Sequence, residues 1–407
     1  MTVATRDLRE RIRLLPGMAR LLPALEGLPP TFLVGGAVRD LLRGADGVDL
    51  DLAVEGSARS TARALAERLG GQAREHERFG TATVMADHLA FDLATTRRER
   101  YERPGALPLV EPAPLAEDLG RRDFSINAMA VGLTGDDLGH LYDPLGGLDD
   151  LRAGIVRVLH DRSFVDDPTR LLRALRYEAR LGFTMDAHSE KLAREAIAKR
   201  APATVSGSRV RDELMDLLAE EQAASAVERM RELRLDRALN PVLVADSELV
   251  ASAALAATAI GADRALAGLA ALVAHDPLGL AGWLDELGLT AAQRDAALRA
   301  ASSAPLLARE LRDELAPSGL YDLLAAEPPE SLALAMALGA PGEPVLRWIR
   351  ELSRVKLEVG GDDLLAAGVP EGPAVGRGLA TALRRKLDGE VSGRDEELKA
   401  ALEAAWE

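Results

Sequence analysis

The 407-residue sequence contains no cysteine. Disulfides, thiolate zinc sites and a cysteine nucleophile are thereby excluded. Aromatic residues make up only 3%, few for a protein that reads RNA by stacking many bases. No apolar run reaches the roughly 18 residues of a membrane span. The N-terminal stretch, with Arg6, Arg9, Arg11 and Arg13 among polar residues, lacks a signal-peptide core. The expectation is a soluble cytoplasmic protein with no membrane partner. An excess of positive charge is missing too: 50 Lys and Arg stand against 65 Asp and Glu, a net charge of −15. This argues against a general nucleic-acid binder. A local basic track can still hold phosphates, with modest, salt-sensitive affinity.

Other signals are also missing. His76, His88, His140, His160, His188 and His275 show no metal-ligand spacing. His275-Asp276 looks like half of a metal phosphohydrolase pair, but no second set accompanies it, and it reads as a helix end. There is no G-x-G-x-x-G dinucleotide fingerprint and no fixed-period repeat. What the chain does have is length for roughly two to four domains and 47% hydrophobic residues, enough for a large core.

One stretch organises the rest. Phe32-Leu-Val-Gly-Gly-Ala-Val-Arg-Asp40 reads as a short apolar strand, a double-glycine turn and the start of a helix. Gly35 and Gly36 would let backbone N–H groups approach a phosphate, and the helix N-terminus favours the anion. The plainer reading is an ordinary tight turn. Just behind it, Val48-Asp-Leu-Asp-Leu52 reads as a strand. Alternation puts Asp49 and Asp51 on one face and Val48, Leu50 and Leu52 in the core. Two carboxylates on one rigid face suit a hard divalent cation, and the plainer reading is a solvated strand edge. A phosphate cradle beside a carboxylate pair points to nucleotidyl or phosphoryl transfer. Asp92, in Phe91-Asp-Leu93, lies on an expected neighbouring strand, where a third carboxylate would suit a two-metal site; otherwise it is a charge at a strand end.

Taken in order, residues 1–28 read as a short amphipathic helix ending at Gly27 and Pro29-Pro30. From Thr31 to about Asp150 the pattern is mixed α/β, with strands expected at 31–34, 48–54, 79–85 and 89–94 and a helix at 57–69. Residues 97–118, with Pro104, Pro108, Pro112 and Pro114, read as a mobile loop. From about Leu148 the sequence is helical, with helices at 167–182 and 187–200. Beyond residue 205 Ala and Leu dominate, with breaks near Pro241, Pro277, Pro317, Pro328-Pro329 and Pro341. The fold class is α+β: an N-terminal head with a mixed sheet, then an all-α remainder. The expected divisions are 1–150, 151–215, 216–330 and 331–407.

Two further segments carry chemistry. In Arg121-Arg-Asp123, Arg122 could clamp triphosphate oxygens with its forked donors; the alternative is a surface ion pair with Asp123 or Glu117. Asp166-Asp167-Pro-Thr-Arg170 opens a helix on which Arg170, Arg173 and Arg176 follow at intervals of three, winding along one side. Asp167 suits the N-cap and Pro168 the first turn. The functional alternative is sharper. Cytosine and adenine both present an amine donor beside a ring-nitrogen acceptor. A carboxylate and an arginine one helical turn apart could read that pair and reject U and G. Arg173 and Arg176 could then reach phosphates.

Together these blocks resemble the class II tRNA nucleotidyltransferase and bacterial poly(A) polymerase family, the CCA-adding enzymes. The matching segments are Leu33–Asp40, Asp49-Leu-Asp51, Arg121–Ala130 and Asp167–Tyr177, in the family's order. The resemblance implies a nucleotidyltransferase head (1–150), a helical neck that recognises the base (151–215), a helical body (216–330), and a tail (331–407) that binds tRNA. It implies that Asp49 and Asp51 are catalytic and bind Mg²⁺. It also implies that Gly36, Arg39, Arg122, Asp167, Arg170, Arg173 and Arg176 contact the incoming ATP or CTP. Where the family commonly has Glu before the base-reading Asp, this chain has Asp166, which keeps the charge and shortens the reach. The implied activity is addition of C and/or A to the tRNA 3′ end. A-only addition and poly(A) tailing stay open. C-only addition fits less well, because the 29 residues from Asp92 to Arg121 (121 − 92 = 29) leave room for a loop that C-only members, as the resemblance implies, have shortened. Two rivals are a non-catalytic RNA-binding protein on the same scaffold and a small-molecule nucleotidyltransferase. The first is disfavoured by the presence of Asp49, Asp51 and the arginine row, the second by the long helical half.

Overall fold

The computed structural model describes residues 7–45, 49–76 and 80–407. Two compact units divide the chain at Val210 and Arg211. Among the described residues no helix is long and apolar enough to cross a membrane.

The first unit opens with α1 (Arg9–Leu14) and α2 (Met18–Ala24), so the single helix expected over 1–28 is two short ones. Pro16 lies between them, and Gly17 adopts φ +82°. Then come β1 (Thr31–Val34), α3 (Gly36–Arg43), β2 (Asp51–Val54), α4 (Ala58–Leu69), β3 (Gln72–His76), β4 (Thr81–Ala86) and β5 (Leu89–Thr95). Ser57 caps α4 by accepting from the Ser60 N–H at 3.2 Å. Next are β6 (Arg97–Arg100), β7 (Leu109–Pro112), α5 (Leu115–Gly120), β8 (Ala130–Gly132), β9 (Leu141–Tyr142), α6 (Gly147–Ala153), β10 (Ile155–Val156), α7 (Ser163–Asp166), α8 (Thr169–Leu181), β11 (Thr184–Met185), α9 (Ala187–Ala198) and α10 (Gly207–Ala219), which runs past the division.

Seven strands form one sheet in the order β3-β4-β5-β2-β1-β8-β9. Among the described residues of this sheet only the β2–β5 pair is parallel, with Asp51 opposite Asp92. On one face Phe32, Val34, Ala53 and Ala130 pack against Leu115 and Leu119 of α5. Alternation puts Asp51, two residues before Ala53, on that same face, and the register brings Asp92 beside it. Leu33, Leu52 and Leu93 point to the other face and are equally buried.

Three expectations need correction. The strand expected at 48–54 starts at Asp51. The Asp51 N–H bonds to the Asp49 carbonyl at 3.1 Å, so the chain turns there and strict alternation does not reach Asp49. Val48, and Phe79 of the strand expected at 79–85, lie outside the described residues. Residues 97–118 are not an open loop: β6 and β7 pair antiparallel from Arg97↔Pro112 to Arg100↔Leu109, and α5 follows. Charges on facing positions join across the ribbon, Arg98 to Glu111 at 2.8 Å. The region after 148 is helical apart from the two-residue parallel ladder of β10 and β11, an isolated bridge from Val158 to Phe124 and the connecting turns.

In the second unit several of the prolines read as breaks begin helices. Pro277, Pro317 and Pro329 are the first residues of Pro277–Glu286, Pro317–Leu324 and Pro329–Ala337, where the missing N–H costs nothing. Asp276 caps Pro277–Glu286 by accepting from the Gly279 N–H at 2.9 Å, which bears out the helix-end reading of His275-Asp276. The Ala/Leu stripes are core: every residue from Ala265 to Val273 is buried.

Candidate active site

A cavity of about 520 Å³ opens where the β1–α3 turn, the segment after α5 and the start of α8 come together. It is lined by Gly36, Arg39, Asp51, Arg122, Asp167, Arg170 and Arg173, residues from segments more than a hundred positions apart. Among the described residues three roomier cavities, of about 890, 760 and 580 Å³, hold none of the expected site residues. Asp49 and Arg176 do not line the cavity. Asp49 is exposed immediately ahead of β2. Arg176 lies one turn further along α8, its guanidinium 5.8 Å from the Tyr177 ring.

The double glycine has a steric cause. Gly35 takes φ +69° and ψ −134°, a conformation essentially reserved for glycine. A Cβ there would stand 2.9 Å from Nη1 of Arg122. The turn and Arg122 thus share one space. Arg122 pairs with Asp118 of α5 at 2.9 Å, not with Asp123 or Glu117. Its buried Nε has no hydrogen-bond partner among the described residues, an orphan donor beside the glycine turn. Asp118 also holds Arg121, at 2.8 Å, and the Arg97 N–H, at 3.1 Å. Burial would raise the Asp118 carboxyl, but Arg122 and Arg121 outweigh it and keep it below the usual carboxylate range.

Arg39 is buried. Its Nε and Nη2 grip Asp40 at 2.9 and 2.8 Å, and its Nη1 donates to Asn127 at 2.8 Å. The Asn127 amide in turn donates to Asp123, whose other oxygen accepts Nε and Nη2 of Arg173 at 2.9 and 2.6 Å. Burial pushes the Asp123 carboxyl up, yet Arg173 and Asn127 bring it down to about 2. A continuous polar chain therefore ties α3 to α8. Tyr177 sits among three guanidiniums, those of Arg39, Arg173 and Arg176, at 5.2, 5.7 and 5.8 Å.

Asp167 precedes α8 and accepts from the Thr169 N–H at 3.2 Å, the capping role the sequence allows. Arg170 is itself buried and not merely flanked by buried leucines. Its Nη1 donates to Ser163 at 2.6 Å and its Nη2 to the Arg121 carbonyl at 2.8 Å. Asp166 pairs instead with Arg162, at 2.7 Å. Sequence reasoning missed Asp118 and Arg209, a partner of Asp167. Asp118 carried a weak signal, being four residues before Arg122 on a short helix. Arg209 carried none, since only the fold brings it near. Asn127 and Asp123 lay inside a noted block, but their linking role is visible only in three dimensions.

The carboxylates fit a hard cation. Burial raises the Asp51 carboxyl above its usual range; Asp92 and Asp49 add to the rise, and Arg122 opposes it. A divalent ion would relieve that repulsion, and oxygen donors without sulfur match its chemistry. Among the described residues no set of three His, Asp or Glu side chains converges for a metal. Asp92 does not complete such a set; its carboxylate accepts from the Thr83 hydroxyl at 2.5 Å. The donors that Asp49 and Asp51 leave open would be phosphate oxygens and water.

Residues 31–157 match the family described as the Poly A polymerase head domain, and residues 182–246 the one described as a probable RNA and SrmB-binding site of polymerase A. An A-adding tRNA nucleotidyltransferase of Geobacter sulfurreducens is 35% identical over 397 residues, covering 92% of this chain and 45% of that protein. The chain spans 49% and 25% of two further A-adding relatives, so half or less of the length of all three. A CC-adding tRNA nucleotidyltransferase of Deinococcus radiodurans is 36% identical over 379 residues, covering 91% of this chain and 88% of that protein. The solved Thermotoga maritima CCA-adding enzyme complexed with tRNA superposes with a TM-score of 0.77 at 29% identity, over 98% of each chain. With the four sequence blocks, the sheet and the shared cavity all in agreement, the chain belongs to the class II tRNA nucleotidyltransferase and poly(A) polymerase family.

Proposed function

We propose that this chain adds C and/or A nucleotides, without a template, to the 3′ end of tRNA, drawing on CTP and ATP and releasing pyrophosphate. The observation that carries this is one cavity joining a carboxylate strand, a glycine turn with an unsatisfied arginine donor, and the Asp167–Arg170 pair. In the reaction the tRNA 3′-hydroxyl loses its proton to solvent as its oxygen bonds to the α-phosphorus, and the bond from that phosphorus to the oxygen leading to the β-phosphorus breaks, so that pyrophosphate leaves with that oxygen. Asp49 and Asp51 would hold Mg²⁺. Bound there, the ion supplies Lewis-acid stabilisation of charge on the phosphoryl oxygens. The Gly35–Gly36 turn lets the backbone approach the triphosphate, and Arg122 offers its Nε–H. Arg39 and Arg173 are held by Asp40, Asn127 and Asp123, so their positive charge is fixed in place before the nucleotide arrives. Asp167 accepts the exocyclic amine of C or A and Arg170 donates to the ring nitrogen. Arg176, beyond the cavity, extends the positive row. The four-part division into head, neck, body and tail, with the tail gripping the tRNA, is part of the same proposal.

Three labelled tRNAs, ending before CCA, at the first C and at CC, test this with Mg²⁺ and CTP, ATP or both. Growth of the shortest to full CCA is the expected result. Extension of the CC-ended tRNA alone, by one A, would instead establish the second reading, A-only addition, which the Geobacter relative favours. Asp49→Ala and Asp51→Ala should each abolish transfer and leave the far-UV circular dichroism unchanged. Near-normal transfer in either would sink the assignment.

A further inference from the structure

The geometry points to Arg209 as the positioning residue that sets the base-reading carboxylate, and hence as a determinant of nucleotide selectivity. This rests on the role proposed above for Asp167. Arg209 lies in α10, and its Nη2 stands 2.8 Å from each carboxylate oxygen of Asp167. The pair is largely shielded from water, with 24% and 14% of the two side chains exposed. The same guanidinium reaches the Gly105 carbonyl through Nη1 at 3.4 Å and the Thr169 hydroxyl through Nη2 at 3.5 Å.

The two oxygens of Asp167 are not equivalent. Oδ1 accepts the Thr169 N–H at 3.2 Å and the Thr169 hydroxyl at 2.7 Å as well as Arg209. Among the described residues Oδ2 accepts only from Nη2 of Arg209. A carboxylate has about four lone-pair sites, so Oδ1 is filled and Oδ2 keeps a free one. The exocyclic amine of the base is therefore received at Oδ2. Thr169 alone would not fix where Oδ2 points, because rotation about the last bond of an aspartate is soft. Arg209, spanning both oxygens while anchored on the Gly105 carbonyl, removes that freedom. A planar fork can do both at once and an ammonium cannot.

The test compares kcat/KM for CTP and ATP with that for UTP and GTP in the full chain. In R209M the ratio should fall at least about tenfold. In D167A it should fall as far, and D167A/R209M should lose nothing more, because both act through one carboxylate. Inhibition by inorganic tripolyphosphate, which has no base, should keep its wild-type constant in R209M, whereas general damage to the site would weaken it. R209K should recover part of the selectivity. Where R209M fails to fold, R209Q is read by the same criteria. A wild-type ratio in R209M, or a loss that adds in full to that of D167A, overturns the inference alone. Selectivity intact in D167A overturns the reading of Asp167 and this inference with it.

Discussion

At Asp123 a buried carboxylate is held by a bidentate arginine and an amide. Its folded-state pKa, about 2, lies below the 3.8 of an unperturbed aspartate. The depressed value means that the stabilisation is full above pH 4 and is lost as the pH falls toward 2. Urea melts between pH 5 and pH 2 should show wild type losing roughly 2–3 kcal/mol in that window. Asp123→Asn should lose that part of the pH dependence, having already given up the stability at pH 7. Gly35 makes a second prediction at this scale. Gly35→Ala must adopt a left-handed backbone and displace the Arg122 guanidinium. The expected cost is about 1–3 kcal/mol, together with a raised KM for nucleotide. An unchanged KM, with only the melting point lowered, would separate the turn from the phosphate. The glycine pair, the aspartates and the arginine row were legible as residue types because their chemistry is local. That Arg39 and Arg170 spend donors on Asn127, Ser163 and the Arg121 carbonyl was not legible, since those partners come from other segments.

Two neighbouring elements carry ion pairs of very different worth. On the β6–β7 ribbon, Arg98 and Glu111 are about half exposed, so Glu111→Ala should cost under about 1 kcal/mol. On α5, the Asp118 side chain is 2% exposed and binds two arginines. Asp118→Ala should cost about 3–5 kcal/mol and also release Arg122 into the cavity. Thermal melts of the two variants side by side check the contrast; equal shifts would show that burial does not set the scale here. Elements with a strong period or clear caps were legible: β1 and β5, α4 with its Ser57 cap, and α8 and α9 to within two residues. β3, β8 and β9 were missed. β3 has a charged, half-exposed pattern at the sheet edge, and β8 and β9 are three and two residues long. The ribbon was read as a loop because proline counts against strands, yet Pro112 sits at its end.

Over the whole molecule, the α+β class was legible along the full chain, but the chemistry was legible in only half of it. The Ala/Leu pattern after residue 211 reveals helices and a core but not which faces are free, so the chemistry legible in the sequence stays in the first unit. Net charge was a poorer guide to the site than to the chain. The cavity is lined by seven arginines and four carboxylates, a local surplus of three positive charges in a protein of net charge −15. Such an inversion acts on speed before it acts on strength. A cavity of one sign, set in a surface of the other, focuses field lines and captures a polyanion from solution faster than chance encounter would. The bulk surface meanwhile repels the same polyanion from everywhere else. Stopped-flow mixing with a fluorescent nucleotide should show an association rate that falls as salt is raised, while the dissociation rate moves little. The acidic exterior then acts as a guide that keeps nucleotide from lingering anywhere but the arginine-lined mouth.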